Sequence, residues 1–258
     1  MEQKTKERLA ESLTASTTDI IPYLPYLLQD FWSLASDSGE MIKLLKEYTN
    51  FGAEHKVIDL ACGKGAVSIG LAEEFGCMVK GIDLISEFIE EACQKSEEYG
   101  VASLCAFVTG DVNQAVCTEQ NYDLAVWGGA GDLLGGYRET LVGISRTVKY
   151  GGYIMLDEAY IKEGSDLRFY HDYLTLTQWK EIFSELELTE VARLENEQIG
   201  DPGEYAEDLN HIRKRAEELA ERHAEKRVMF EEYVKTQQNE YEDLQDGVIG
   251  TLWLLKKQ

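Results

Sequence analysis

The chain has 258 residues, 44% of them apolar, which is enough to bury a sizeable core. Its 48 acidic residues outnumber 25 basic ones and leave a net charge of −23. A surface so acidic repels phosphate backbones and anionic lipid, which excludes nucleic acid and membrane surfaces as main partners.

The first fifty residues read as helices. "STTDIIPYLPYLLQDFWSLAS" interleaves Ile, Leu and aromatic residues at helical spacing, with Pro22 and Pro25 near its start. From residue 57 short apolar runs alternate with amphipathic ones. "KVIDLAC" predicts a buried strand, residues 64–75 a helix ended by Gly76, and "MVKGIDL" a second strand. Ser86 is the expected cap of the next helix, which Gly100 closes. "LCAFVTGD", "YDLAVWGG" and "GGYIMLDEAY" follow as strands, then "TLTQWKEIFSEL" as a helix, and "LTEVARLEN" and "GVIGTLWLLKK" as the last strands. Strands alternating with helices in this way imply an α/β fold with a doubly wound, mostly parallel sheet.

Residues 201–246 differ in composition. They are rich in charge, carry no β-forming run and present one narrow apolar stripe, so they predict one long helix or two shorter ones inserted before the last strand. Asp201, Pro202 and Glu204 form a helix-start signal. Glu218–Arg222 and Glu231–Lys235 are expected i,i+4 pairs. The expected organisation is an N-terminal helical cap over 1–50, an α/β core over 51–200, the helical insertion over 201–246 and a last core strand over 247–258.

Chemistry concentrates in "VIDLACGKGAVSIGLAEEFGCMVKGIDL", residues 57–84. In an open α/β sheet, ligands bind beyond the carboxyl ends of the strands, where strand order reverses. Gly63 and Gly65 allow close approach of a ligand to the backbone, and the helix that begins near Lys64 offers free N–H groups. A dinucleotide fold wants a third glycine where this chain has Ser68. Asp59, just before the glycines, would repel a pyrophosphate but suits an ammonium or sulfonium group. Asp83, ending the second strand, can accept from ribose hydroxyls. The combination fits S-adenosylmethionine better than NAD.

"VIDLACGKG" resembles the first motif of the class I S-adenosylmethionine-dependent methyltransferases, and "GIDL", "GDVNQ", "YDLAVWGG" and "VKYGGYIMLDE" follow in that family's order. The helical insertion is also similar to that of a subgroup of bacterial small-molecule enzymes. The resemblance implies a seven-stranded Rossmann-like sheet. It assigns Asp59, Gly63 and Gly65 to the methionine portion of the cofactor, with Ala61 standing where the family often has another glycine. Asp83, with Leu84 beside it, falls to the ribose, Asp111 and Val112 to the adenine, and Trp127 and Gly128 to the methionine chain and reacting methyl.

Methyl transfer needs a nucleophile held in line with the methyl group, and a base only where the acceptor must lose a proton. Glu158 and Tyr160, after the fifth strand, and His171, in "RFYHDY", are the candidate catalytic residues, and Asp132 lies after the fourth strand. No metal-ligand cluster is visible, so no metal is expected. Tyr23, Tyr26, Phe31 and Trp32 could line a lid or pack on the sheet's flank, and Tyr205 and His211 of the insertion could face a ligand. The five cysteines form no Cys-x-x-Cys pair, no apolar run approaches the ~18 residues of a membrane helix, and the N-terminus lacks the apolar stretch of a signal peptide. A cytoplasmic methyltransferase of a small-molecule acceptor is therefore expected, releasing S-adenosylhomocysteine, with a homodimer as the assembly considered. An NAD(P)-dependent oxidoreductase and a cofactor-binding regulatory protein without transfer activity are the alternatives.

Overall fold

In the computed structural model the described residues are 3–162, 164–165, 173–196 and 202–258, with backbone alone at 202–204 and 245–246. The strands are β1 (Lys56–Leu60), β2 (Met78–Asp83), β3 (Cys105–Thr109), β4 (Tyr122–Gly128), β5 (Val148–Ile161), β6 (Leu188–Asn196) and β7 (Val248–Lys257). The helices are α1 (Gln3–Ser12), α2 (Leu24–Leu27), α3 (Ser38–Tyr48), α4 (Ala66–Phe75), α5 (Ser86–Glu98), α6 (Val112–Thr118), α7 (Tyr137–Thr147), α8 (Leu176–Glu185), α9 (Pro202–Arg222) and α10 (Arg227–Asp246).

The strands form one seven-stranded sheet in the order β3-β2-β1-β4-β5-β7-β6. β1 pairs in parallel with both β2 and β4, and the pairs β2–β3 and β4–β5 are parallel as well. The chain therefore walks outward from β1 to β3 and then returns to the other side of β1. That reversal puts a crevice beyond the carboxyl ends of β1 and β4. The inner strands are buried on both faces, as a parallel sheet between helix layers requires: Val57, Ile58, Leu60, Leu124, Ala125, Val126 and Trp127 are almost fully covered.

The chain divides into two compact units. The larger, Trp32–Glu158 with Lys180–Leu194 and Thr251–Gln258, contains most of the sheet and the crevice. Its core joins Leu44, Leu45, Ile69, Leu71, Val79, Val126, Met155 and Leu254. The smaller comprises Met1–Phe31, Ala159–Trp179 and Glu195–Gly250. Residues 1–31 thus group with the insertion, whereas 32–50 belong with the core.

Within the smaller unit, α9 and α10 form the expected pair of helices, joined by a short turn at Ala224–Lys226. Arg215 grips the Asp30 carboxylate through two nitrogens, at 2.6 and 2.7 Å. The Tyr26 hydroxyl donates to Glu218 at 2.6 Å and accepts from Arg222 at 2.9 Å. Tyr23 meets His223 and Phe230 edge-on, Phe31 meets His211, and Tyr205 stacks on Tyr241. Of the aromatics considered for a lid, Tyr23, Tyr26 and Phe31 are thus engaged with the insertion inside this unit, whereas Trp32 belongs to the larger unit and stacks on Tyr99. Glu218 turns to Arg215 and Glu231 to Arg227 rather than to the i,i+4 partners expected of them. Asp201 lies outside the described residues.

Two local expectations need correction. Residues 28–37 are largely non-helical: α2 is only four residues long, and the chain runs on irregularly to Asp37, which caps α3. Pro25 stands in the first turn of α2, where proline is tolerated, and the helix stops at Leu27, well short of Trp32. Ser86 is the first helical residue of α5 rather than its cap; the cap is Ile85, whose N–H is taken by Asp83 at 2.9 Å.

Gly81, mid-strand in β2, lies under the Phe107 ring and Cys62. A β-carbon there would meet Phe107 Cδ1 at 2.7 Å and Cys62 Sγ at 2.9 Å. Gly81→Ala is expected to destabilise the protein by roughly 1–3 kcal/mol through overpacking, read as a lower urea midpoint with unchanged m-value.

Candidate functional site

The turn after β1 carries three left-handed residues within five: Ala61 (φ 59°), Gly63 (φ 52°) and Gly65 (φ 84°). Gly65 is also the N-cap of α4, and with no side chain it caps nothing. The first turn of α4 therefore opens toward the crevice without a capping side chain, a ready acceptor of a carboxylate. Ala61 carries the same backbone conformation with a Cβ, at a cost of about 1 kcal/mol, so the missing glycine of this loop is met by strain rather than by a different shape.

Asp83 holds the turn in place. One carboxylate oxygen accepts the Gly63 N–H at 2.9 Å, and the other accepts the Ile85 N–H at 2.9 Å. Burial pushes its pKa up, and the N–H groups of Ile85, Gly63 and Leu84 oppose that rise. Each oxygen keeps a further lone-pair direction for a ligand hydroxyl. Asp59 is nearly fully buried, and Ser68 donates to it at 2.6 Å. Burial is the main cause that lifts Asp59 to about 6, with the Ser68 hydrogen bond acting against it and the charge of Asp83 adding to it. Ser68, read from the sequence only as a missing glycine, is thus the partner of Asp59. Lys64 is also buried, and its ammonium reaches Glu91 of α5 at 3.1 Å.

Asp111 caps α6, accepting the Asn113 N–H at 2.8 Å and its side-chain amide at 2.9 Å. Val112 beside it is buried, while Leu84 and Gly128 are partly exposed. At the end of β4, Gly128 pairs with Asp157 of β5, and Gly129 donates its N–H to the Asp157 carbonyl at 3.0 Å. The irregular segment 34–36 lies across this end of the sheet. A β-carbon at Gly63 would meet Leu34 at 3.0 Å, one at Gly129 would meet Ala35 at 2.8 Å, and one at Gly128 would overlap the Ser36 hydroxyl.

Two acids lie within β5, and Glu158 is the most perturbed acid of the site, while Asp157 is raised as far as Asp59. Burial raises Asp157 to about 6; the Ser36 hydroxyl opposes this, and Glu40 and Asp37 add to it. Burial, then the charge of Asp157, raise Glu158 to about 8, against the Trp127 indole and with a further push from Asp132. The sequence reading found Glu158 but passed over Asp157 and Ser36. The adjacent "DE" at a strand end was the signal available for the first. Nothing in the sequence marked Ser36, whose position depends on the path of an irregular segment.

Of the other catalytic candidates, Tyr160 belongs to the smaller unit, where its hydroxyl donates to Glu195 at 3.0 Å. His171 lies outside the described residues. Among the described residues, no group of three or more His, Cys, Asp or Glu is arranged to hold a metal ion, and no helix is long and apolar enough to cross a membrane.

Comparison with known proteins agrees with this geometry. A family model described as "Methyltransferase domain" matches residues 52–198, which run from β1 through β6. The uncharacterized Escherichia coli protein YjhP is 29% identical over 108 residues, 42% of this chain and 43% of that one, so the sequence likeness spans less than half of either. The YjhP crystal structure superposes with a TM-score of 0.73 at 18% identity, covering 92% of this chain and all of the other. A Geobacter sulfurreducens protein described as an S-adenosylmethionine-dependent methyltransferase in complex with S-adenosylhomocysteine also gives 0.73 at 18% identity, over 91% and 97% of the two chains. The strand order with its reversal beside β1, the glycine turn and the family match over more than half of the chain lead to one conclusion: the chain belongs to the methyltransferase-domain family, in its class I, Rossmann-like form.

Proposed function

We propose that the protein transfers a methyl group from S-adenosylmethionine to a small-molecule acceptor and releases S-adenosylhomocysteine. The observation that carries this reading is the glycine turn at the sheet's reversal point, clamped by Asp83 within the family-matched segment. The residues present fit the donor. Gly63 and Gly65 leave room for close backbone contact, and the uncapped start of α4 suits the methionine carboxylate. On this reading Asp83, with Leu84 beside it, accepts from ribose hydroxyls, Asp111 and Val112 flank the adenine, and Trp127 and Gly128 border the methionine chain. Asp59, with Ala61 in the same loop, supplies negative charge near the donor's positive one. Bound there, S-adenosylmethionine supplies a methyl group already activated by its sulfonium charge.

The work left to the protein is orientation and exclusion of water around the reacting pair. The rigid turn serves the first. The Asp83 clamp fixes Gly63, and Lys64 anchors the same loop to α5 through Glu91. An oxidoreductase reading is disfavoured on physical grounds. A dinucleotide pyrophosphate would meet the Asp59–Asp83 pair, and the third-glycine place is held by Ser68, which Asp59 uses. The five cysteines are all free, in keeping with a reducing, cytoplasmic setting.

Calorimetric titration tests the reading. S-Adenosylmethionine and S-adenosylhomocysteine are expected to bind with micromolar affinity and NAD not to bind; Asp83→Asn should weaken both by roughly tenfold to a hundredfold, since it breaks a buried, charge-assisted clamp. Binding of NAD with no response to either sulfur compound would overturn it.

A further inference from the structure

The Ser36 hydroxyl is buried, at 6% exposure, and completes no hydrogen bond among the described residues. Its neighbours fix where it points. It fills the space that a side chain at Gly128 would take, and the Ser36 β-carbon lies 3.2 Å from that position. Gly128 pairs with Asp157 across the β4–β5 register. The Asp157 side chain therefore leaves the sheet on the same face, one strand spacing of about 4.8 Å away. Ser36 stands close enough to that carboxyl to oppose the rise that burial causes. The backbone beneath the hydroxyl is held as well: Ser33 donates to the Ser36 carbonyl at 2.7 Å, and Asp37 caps α3 immediately after. Gly128 and Asp157 both keep partial exposure, so this polar niche opens to solvent.

The niche adjoins the glycine turn. A side chain at Gly63 would meet Leu34, and one at Gly128 would meet Ser36, two residues further on. Two residues of chain span at most about 7 Å, so the turn and the niche are neighbours on the floor of the crevice. A ligand with a carboxylate and an ammonium on one carbon fits two such places, because a hydrogen bond of about 3 Å on either side of that carbon bridges the gap. The orientation follows from charge. The carboxylate belongs with the free N–H groups at the uncapped start of α4, since the reverse placement would set an anion against Asp157.

We infer that Ser36 and Asp157 seat the α-amino group of S-adenosylmethionine, the hydroxyl and the carboxylate each accepting one of its N–H bonds. This deepens the reading of the protein as an S-adenosylmethionine-dependent methyltransferase and rests on it. Recognition of the donor's amino-acid head then depends on a segment and a strand outside the glycine turn. Nucleosides that share the adenosine and the sulfur but lack the amino group are discriminated against by this pair.

Calorimetry with S-adenosylhomocysteine, its deamino analogue and its decarboxy analogue tests the assignment, in wild type, Ser36→Ala and Asp157→Asn. Removing the amino group is expected to weaken binding to the wild type roughly tenfold to a hundredfold, the loss of a charge-assisted hydrogen bond. In Asp157→Asn the same removal should cost about threefold or less, and in Ser36→Ala an intermediate factor. Removing the carboxylate should cost all three proteins the same factor. Three results overturn the inference: a wild type that binds the deamino analogue as tightly as the parent, an amino-group factor unchanged by both substitutions, or one that falls only together with the carboxylate factor. A wild type that binds none of the three compounds defeats the functional reading instead.

The protein without ligand separates this role from a structural one. Burial raises Asp157 from 3.8 to about 6, with Glu40 and Asp37 adding to the rise and Ser36 opposing it. Between those values the folded chain binds more protons than the unfolded one. The contribution of Asp157 to stability is therefore present below pH 3.8 and is lost as pH rises through about 6. Asp59 titrates in the same range, in wild type and variant alike. Asp157→Asn should flatten the fall in urea midpoint over that range and leave the midpoint at neutral pH unchanged or higher. A midpoint lowered at neutral pH would make Asp157 a residue that holds the fold, and would also overturn the inference.

Discussion

The clamp made by Asp83 is the constraint on which the crevice depends. A carboxylate whose two oxygens accept N–H groups from both sides of a gap fixes the gap's width. Here the two sides are the glycine turn after β1 and the turn into α5. The left-handed residues of the first turn can adopt several shapes in isolation, and the clamp selects one of them. Lys64 and Glu91 fasten the same loop to α5 from the other end, so the loop is held as part of the sheet's edge rather than as a free connection. The arrangement is costly in electrostatic terms, since burial lifts Asp83, and it persists because backbone N–H groups offset part of that cost.

The charge distribution around the crevice has a common sense. Asp59 and Asp83 lie on one side of the reversal point and Asp157 and Glu158 on the other, and every one is pushed upward by burial. Acidity on the outside of a protein is a matter of solubility. Buried acids facing acids are a different matter, because the charged state is stable only when something positive arrives. The donor carries a sulfonium and an ammonium. A site built in this way discriminates by charge before it discriminates by shape, and it weakens its own hold on the neutral sulfur product once transfer is complete.

How much of this was legible in the sequence depended on how local each feature is. The strands and most helices followed from apolar periodicity, and the glycine turn, Asp83 and Asp111 from motif spacing, because each is decided within a few residues. The irregular run from 28 to 37 was not legible, since Leu28, Phe31 and Trp32 continue a helical pattern that the chain leaves at Leu27. The grouping of residues 1–31 with the insertion depends on pairs such as Arg215 with Asp30 and Tyr26 with Glu218, more than 180 residues apart. Ser68 shows a subtler failure: a motif comparison scored it as an absence, whereas its hydroxyl has a partner of its own. Lys64 carried no assigned role in the sequence, and the structure buries it against Glu91.

Leu34, Ala35 and Ser36 fill the space that side chains would occupy at Gly63, Gly129 and Gly128. The segment and the glycines are therefore two halves of one fitted surface, and neither half can drift alone. Bulk gained on one side must be surrendered on the other: an alanine at 128 is excluded while Ser36 keeps its hydroxymethyl group, and becomes admissible once position 36 has been reduced to glycine.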